Sequence, residues 1–503
     1  MKRGRRRASS DTPQRWVNYR NLTNPFPPMD VFSTDEIASI HHAALSVLED
    51  LGLSVLLPEA RKVFKSGGAT VKDDMVFLGR EMVTSALSTA PKSILCRAGA
   101  AHRDVTLELG NLVFQPGAGC PHATDLRRGR RPGTEQDYRE LITLTQSFDV
   151  LHMLPPLVEA QDVPTHLRHY AFLDAELSLS DKFPFIFSRG TPQVRDAFEM
   201  IRLARGLSHE DFANQVWCYT IINTNSPRTI DVAMAQGLID FARAGQVSIV
   251  TPFTLMGAMA PITVAGSITL SHAEALAGIV LTQLVRPGAP VCYGTFTSNV
   301  DMKSGSPAFG TPSHFQASLA AGQLARMIGL PWRSATGTAS NAADVQGANE
   351  TQLGLWGCLL AGSTVVLHAA GWLEGGLTIS YEKLVTDVEV LQIVAELCAG
   401  ARAGADEIGM DALAEVQPSG HFFAAGQTMA RYKTEFYEPL VAEMKTFGSW
   451  EHDGAEDAST RATRIWEGIL ADPPTPDLNT DGVAAMRDFA ARRAEVGGAP
   501  PES

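Results

Sequence analysis

The sequence predicts an α/β fold: a (β/α)8 barrel of the TIM type over residues 111–400, with a small α/β cap before it and a helical extension after it. Three observations lead there. Beyond residue 111, eight short β-branched or aromatic runs alternate with seven longer amphipathic ones, at a spacing of about 35 residues, the size of one strand–helix unit. The units are even in length, which favours closure over the open doubly wound sheet that shares this alternation. The loops after the strand runs are long and rich in Gly, Thr, Asn and aromatic residues, and it is there that a barrel builds its site.

Taken in order, residues 1–31 read as a flexible basic arm. Lys2, Arg3, Arg5, Arg6 and Arg7 precede a polar stretch broken by prolines at Asn24-Pro-Phe-Pro-Pro28. No apolar run follows the arginines, so an export signal is not expected. The cap, 32–110, opens on the capping box Ser33-Thr-Asp-Glu36. Ile37, Ile40, Ala44, Val47, Leu48 and Leu51 then follow at helical spacing, and Gly52 stops the run. Further helices are expected over 58–66 and 79–89, with a strand-like stretch between them. The barrel strands are expected at 112–115, 150–158, 183–188, 215–222, 246–252, 290–296, 331–336 and 363–368. Helices are expected at 135–146, 165–179, 193–207, 228–244, 271–285, 313–328 and 349–361. Residues 401–503 read as a helical extension and tail.

Composition narrows the class. The 503 residues are 45% hydrophobic and 19% charged, which suits a globular chain with an ordinary core. Lys+Arg 42 against Asp+Glu 55 gives a net charge of -13, the wrong sign for a nucleic-acid binder. Apolar stretches such as 276–285 fall short of the roughly 18 residues that a membrane span requires. Cys96, Cys120, Cys218, Cys292, Cys358 and Cys398 are scattered with no C-x-x-C pair, so reduced thiols and a cytoplasmic setting are expected.

Several chemistries can be weighed from the loops. Cys120-Pro-His122 offers two zinc-type ligands, but the other candidates, Cys292 and His368, are far off in sequence and form no tight pair, so no metal site is expected. There is no G-x-S-x-G, no P-loop and no G-x-G-x-x-G. No lysine ends a strand run, which argues against Schiff-base chemistry. What remains is a neutral mouth bearing Phe253, Tyr293, Phe296 and Trp372 near strand ends, with Trp332 near the start of another. Aromatic faces attract quaternary ammonium groups by about 0.5–2 kcal/mol per contact. Such rings also serve as ordinary barrel packing, and the two readings stay open at this point.

Four longer stretches carry a resemblance. They are Gly257-Ala-Met-Ala-Pro-Ile-Thr-Val-Ala-Gly266, the run from Ala277 to Pro290 with Asp301-Met-Lys303, the block from His368-Ala-Ala-Gly-Trp-Leu-Glu-Gly-Gly376 through Glu389, and Ser419-Gly-His-Phe-Phe423. With them, residues from about 32 to 476 resemble the trimethylamine methyltransferase family. The resemblance implies a (β/α)8 barrel that hands a methyl group from a methylated amine to Co(I) of a corrinoid (cobalamin), carried by a partner protein or free. Archaeal trimethylamine enzymes of the family carry pyrrolysine, whereas this chain reads through the corresponding region, roughly 336–344, with ordinary residues. That implies the branch acting on quaternary amines such as glycine betaine. The alternatives are a trimethylamine enzyme without pyrrolysine and a barrel that binds quaternary ammonium without turnover. Within the matching block, His368 and Glu374 are the candidate catalytic residues. Gln115 and His122, in the first loop, join Phe253, Tyr293, Phe296 and Trp372 as candidate substrate contacts. The arginines 127–131 are candidates for a rim that meets the corrinoid protein. Self-association into a homo-oligomer is expected of a barrel with such an arm.

Overall fold

The computed structural model describes residues 17–501; the arginine-rich run at 2–7 lies outside them. The fold is α/β. Six strands pair in parallel in the order Tyr219–Ile222 (β2), Val247–Val250 (β3), Val291–Gly294 (β4), Trp332–Ala335 (β5), Val365–Leu367 (β6) and Asn111–Phe114 (β1). These positions agree with the strand runs read from sequence.

Two other runs are not continuous strands. Residues 150–158 and 183–188 contain Pro155, Pro156 and Pro184, which remove the donors a ladder needs. They keep isolated parallel contacts instead. The His152 N–H donates to the Phe114 carbonyl at 2.9 Å, and the Phe114 N–H donates to His152 Nδ1 at 2.9 Å. Met153 bridges Phe183, Phe185 bridges Tyr219, and the Ile186 N–H reaches the Tyr219 carbonyl at 2.9 Å.

Helices follow the strands at Glu135–Ser147, Arg168–Leu179, Thr191–Arg205, Val232–Ala244, Val264–Val285, Pro312–Ile328, Val345–Ala361 and Tyr381–Ala399. Side chains of Thr134, Asp231, Thr263, Thr311, Asp344 and Ser380 each accept a backbone N–H at the first turn, the usual way such helices start. Helix Val264–Val285 corrects the sequence reading. It has 22 residues, begins seven before the expected start, and is long and apolar enough to cross a membrane. It is nevertheless mostly buried within the fold, packed by helices Thr34–Ser46, Arg80–Thr89, Val232–Ala244 and Pro312–Ile328. Covered on all sides, it shows no polar stripe.

The cap helix Thr34–Ser46 starts with the capping box of Ser33 and Glu36. The small cap sheet gains a strand from the main unit, Thr229–Ile230, which runs parallel to Leu53–Val55. The described part of the arm is fastened to the fold. Leu22–Thr23 pairs antiparallel with β1, Asn24 donates to the Leu359 carbonyl at 2.7 Å, and Gln323 Oε1 accepts the N–H groups of Val31 and Phe32. Beyond residue 400, helix Ala458–Ala471 is bound by Glu382, whose carboxylate accepts from Thr463 at 2.8 Å and Trp466 Nε1 at 3.0 Å. Helix Thr480–Glu495 packs on Thr191–Arg205.

Two glycines test the helix packing. Gly322 lies where helices Pro312–Ile328 and Val345–Ala361 meet, and a Cβ there would stand 2.2 Å from the Ala361 carbonyl oxygen. Gly468, on exposed helix surface, has open space around its missing Cβ. Gly322→Ala is expected to destabilise by about 1–3 kcal/mol. Gly468→Ala is expected to stabilise by roughly 0.5–1 kcal/mol. Denaturant unfolding followed by circular dichroism should move the two midpoints in opposite directions.

Candidate active site

A cavity of about 760 Å³ opens at the C-terminal ends of β2, β5 and β6. Its aromatic wall is built by chain that runs on past the strands. After β3, Phe253–Met256 pairs in parallel with Phe296–Val300, the continuation of β4, in a register that sets Phe253 opposite Phe296. Their ring centroids are 5.2 Å apart. Phe296 also stacks on Phe309 at 5.2 Å and stands 6.0 Å from Trp372. Trp372 belongs to the short hairpin of Trp372–Leu373 and Thr378–Ser380, and its indole N–H donates to the Ala118 carbonyl at 3.3 Å. A Cβ on Gly376 would meet the Trp372 ring at 2.5 Å, so the hairpin closes on the indole only because that position is glycine.

His368 follows β6 with φ at 55°, a left-handed conformation uncommon outside glycine. Its imidazole stacks on Trp372 at 4.3 Å, with 18° between the planes. The Ala118 N–H donates to Nδ1 at 3.3 Å, which leaves the proton of the neutral ring on Nε2. Burial, reinforced by the charge of Arg333, holds this imidazole well below the usual histidine pKa.

Arg333, the second residue of β5, lines the cavity and is buried. Among the described residues its guanidinium makes one hydrogen bond, a long 3.5 Å contact from Nη1 to the Thr295 carbonyl, while Nε has no partner. It sits 5.3 Å from the Phe296 ring centroid. Burial pulls its pKa down to about 9, so it stays cationic at neutral pH. Thr220, also lining, has a buried hydroxyl with no partner. The other charged lining residue is Arg189, which pairs with Glu159 at 3.2 Å. No Asp, Glu or Lys is among the lining residues.

Loop 223–226 completes the wall and is held from below by Glu274, whose carboxylate accepts from Thr224, Ser226 and the Arg228 N–H. Glu350 does the same for the loop after β5, accepting from Thr338 and from the N–H groups of Ala339 and Ser340.

The structure brings Phe253, Phe296, His368 and Trp372 together at the cavity. Tyr293 is elsewhere. Its side chain points to the helices, where its hydroxyl meets His272 Nδ1 at 3.1 Å. Gln115 is buried away from the lining, donating to the Tyr219 hydroxyl. His122 and Glu374 stand at the rim around Arg130: Glu374 pairs with it at 2.9 Å, and His122 Nδ1 is 3.3 Å from it. Burial opposes the charge of Glu374, but hydrogen bonds from Arg130 and Thr378, together with the charges of Arg130 and His122, hold the carboxyl below its usual pKa.

The arginines expected at a rim are not among the residues that line the cavity, and each is tied to a carboxylate: Arg127 to Glu467, Arg128 to Asp125 and Glu140, and Arg131 to Asp125 and Asp137. Asp301 accepts from Lys303 and Ser304 and so orders its own turn. Among the described residues no three His, Cys, Asp or Glu groups converge as metal ligands. The residue that sequence reasoning missed is Arg333. Its signal was a lone arginine inside the run Pro331-Trp-Arg-Ser-Ala-Thr336.

Comparison with known proteins places this geometry in context. The sequence model described as trimethylamine methyltransferase (MTTB) matches residues 1–498. The chain is 32% identical over 474 residues to a glycine betaine methyltransferase of Desulfitobacterium hafniense, covering 94% of this chain and 98% of that one. It is 27% identical over 484 residues to a trimethylamine methyltransferase of Methanosarcina mazei, covering 91% and 94%. A trimethylamine methyltransferase of D. hafniense is 26% identical over 462 residues, covering 90% and 92%. With a match along nearly its whole length, the chain is a methyltransferase and belongs to the trimethylamine methyltransferase family.

Proposed function

We propose that this enzyme moves a methyl group from a quaternary amine of the glycine betaine type to the Co(I) of a corrinoid, and that its cavity is the mouth of a (β/α)8 barrel. The barrel reading is supported by the pairing pattern. Strands β2 to β6 lead to β1, and the contacts of residues 150–154 and 183–186 lead from β1 back to β2. The substrate reading is carried by one observation: an aromatic cavity lined by Phe253, Phe296 and Trp372 with no carboxylate and no lysine.

Reduced corrinoid supplies the electron pair that accepts the methyl carbon. The C–N bond breaks with its electrons going to nitrogen, and a quaternary ammonium leaves as a neutral tertiary amine. No proton has to be delivered. Unprotonated trimethylamine, by contrast, would have to expel a dimethylamide anion, so its nitrogen must first be protonated or otherwise activated, and the lining holds no acid suited to that. Aromatic faces fit the demand in a second way. Nitrogen loses its positive charge as the bond breaks, so an anionic wall would hold the ground state more tightly than the transition state. A ring attracts the cation only weakly.

The chain's own part is to bind, align and exclude water. Phe253, Phe296 and Trp372 grip the methylammonium head. His368, neutral and propped on Trp372, borders the path along which the methyl leaves. Glu374, held by Arg130, acts by fixing the Gly375-Gly376 turn against Trp372. A corrinoid is too large for a cavity of this size, so it meets the protein at the mouth. The residues there suit that approach, since Gly375 and Gly376 line the edge without side chains.

In an assay that follows cobalt absorbance with reduced cobalamin or a corrinoid protein, glycine betaine should be demethylated and trimethylamine should not. Turnover with trimethylamine alone would count against the quaternary-amine reading. Trp372→Ala should lower kcat/KM by about 10- to 30-fold, the loss of one desolvated cation–π contact of up to ~2 kcal/mol.

The pH dependence has a defined sign. The depressed pKa of His368 keeps the ring neutral as pH falls through the ordinary histidine range. The rate profile should therefore be flat between about pH 6 and 8 on this account, and His368→Gln should leave its shape unchanged. An acidic limb near pH 6.5 that vanishes in His368→Gln would show a protonating imidazole instead.

A further inference from the structure

A second cavity, of about 280 Å³, lies at the other end of β2 from the active site. Gln215 and Trp217, which line it, precede β2, whereas Asn223 and Thr224, which line the active cavity, follow it. Its remaining walls come from separate parts of the chain. Residues 97–99 follow the strand Ser93–Cys96, Arg205 ends helix Thr191–Arg205, and Asn479 is the N-cap of helix Thr480–Glu495.

Arg205 is a cation without a counter-charge. Among the described residues its guanidinium meets no hydrogen-bond acceptor and no carboxylate, and Nη2 is buried without a partner. A desolvated guanidinium ordinarily finds an anion, because nothing else compensates the lost water. The acid whose charge reaches it, Asp181, is already held by Arg103 and Gln146. Burial pulls its pKa down to about 10, so it remains a cation at neutral pH. The group is also lodged in place. A Cβ on Gly99 would stand 2.2 Å from Nη1 and 2.6 Å from Cζ, so the guanidinium can lie there only because that position is glycine.

The other polar groups of the cavity leave donors over, not acceptors. Arg97 gives its own donors to Asp104 at 2.7 Å and to Gln215 Oε1 at 3.0 Å. Asp104 also accepts the Ala98 N–H at 2.9 Å, so its charge is spent on the protein. Asn479 Oδ1 accepts the Gly482 N–H at 3.1 Å. These bonds fix the orientation of both amides, since each oxygen must face an N–H. Their NH2 groups remain, and neither has a partner among the described residues. Trp217, whose indole N–H goes to the Asp211 carbonyl at 3.3 Å, adds apolar wall.

We propose that this cavity binds a small oxyanion, a carboxylate or inorganic phosphate, with Arg205 as its charged anchor and the amides of Gln215 and Asn479 as further donors. The site is separate from the active cavity, and the proposal does not rest on the methyl-transfer reading. Oxyanions suit it because a guanidinium offers paired donors in one plane, where two oxygens can accept them. A bound anion connects the segment after Ser93–Cys96, the entry to β2 and the two helix ends. It thereby fastens helix Thr480–Glu495 to the rest of the fold.

Calorimetry on the full-length protein tests this, with sodium phosphate and sodium acetate titrated at an ionic strength held constant by chloride. At least one of the two should bind saturably, and Arg205→Gln should weaken it by about 10- to 100-fold, the range for hydrogen bonds to a charged partner. Asn479→Asp keeps an acceptor for the Gly482 N–H but turns a donor into a carboxylate, and it should weaken the ion by a comparable factor. Arg205 has no protein partner to lose. In chloride alone, Arg205→Gln should therefore unfold at the same denaturant concentration as the unaltered protein or a higher one, while the gain in midpoint on adding the oxyanion disappears. Binding of phosphate alone or acetate alone would support the site and identify its source, and binding of both would support the shared chemistry. Saturable binding by neither ion, or binding that survives unchanged in both variants, would overturn it. A lower midpoint for Arg205→Gln in chloride, with no oxyanion effect on the unaltered protein, would show a structural arginine instead.

Discussion

Side chains along a parallel strand alternate between its two faces, and β4 and β5 are enclosed on both. Cys292 therefore turns inward among Met153, Phe183 and Val365, while its neighbour Tyr293 turns outward into the helix layer with Leu276 and Trp332. On β5 the same period sends Trp332 to the helices, where its indole donates to the Gly362 carbonyl at 2.8 Å, and Arg333 to the interior. A shift of one residue in β5 would turn the Trp332 indole into the cavity in place of the Arg333 guanidinium. The cap is joined to this unit from outside, where Thr229–Ile230, in the segment that follows β2, pairs with its sheet.

This period explains which parts of the molecule were legible in the sequence. Helix starts were readable because capping is local: Ser33 and Glu36 are three residues apart and need no distant partner. Strand positions were readable from runs of β-branched residues. Helix Val264–Val285 was only half readable, since its first turns bury Ser267, Ile268 and Leu270 on contacts supplied by other elements. Phe253, Phe296, His368 and Trp372 stood out because all four follow strand ends. Tyr293 stood equally near a strand end and was misplaced, because proximity to an end says nothing about face. Arg333 was passed over for the converse reason. A charge inside an apolar run marks an interior site only once the partner strands fix which way it points.

The cavity's electrostatics differ from those of a simple cation trap. Glu374, Asp125, Asp137 and Glu140 are each committed to an arginine. Glu274 and Glu350 are committed to loop backbone. Inside, the fixed charge is positive. In the proposed reading, attraction for the ammonium comes from ring faces alone, which do not hold the ground state tightly as nitrogen loses its charge.

His368 belongs to this same balance. Its imidazole lies within the influence of Arg333 and of His314, and both act with burial to disfavour protonation. A protonated His368 would set a second cation beside the ammonium head and would weaken the grip of Trp372, whose face it covers. The neutral ring is therefore a consequence of burial first, reinforced by the charge of Arg333. Trp372 supplies that burial by stacking at 4.3 Å, which makes the indole a support for the neutral imidazole as well as a wall of the cage.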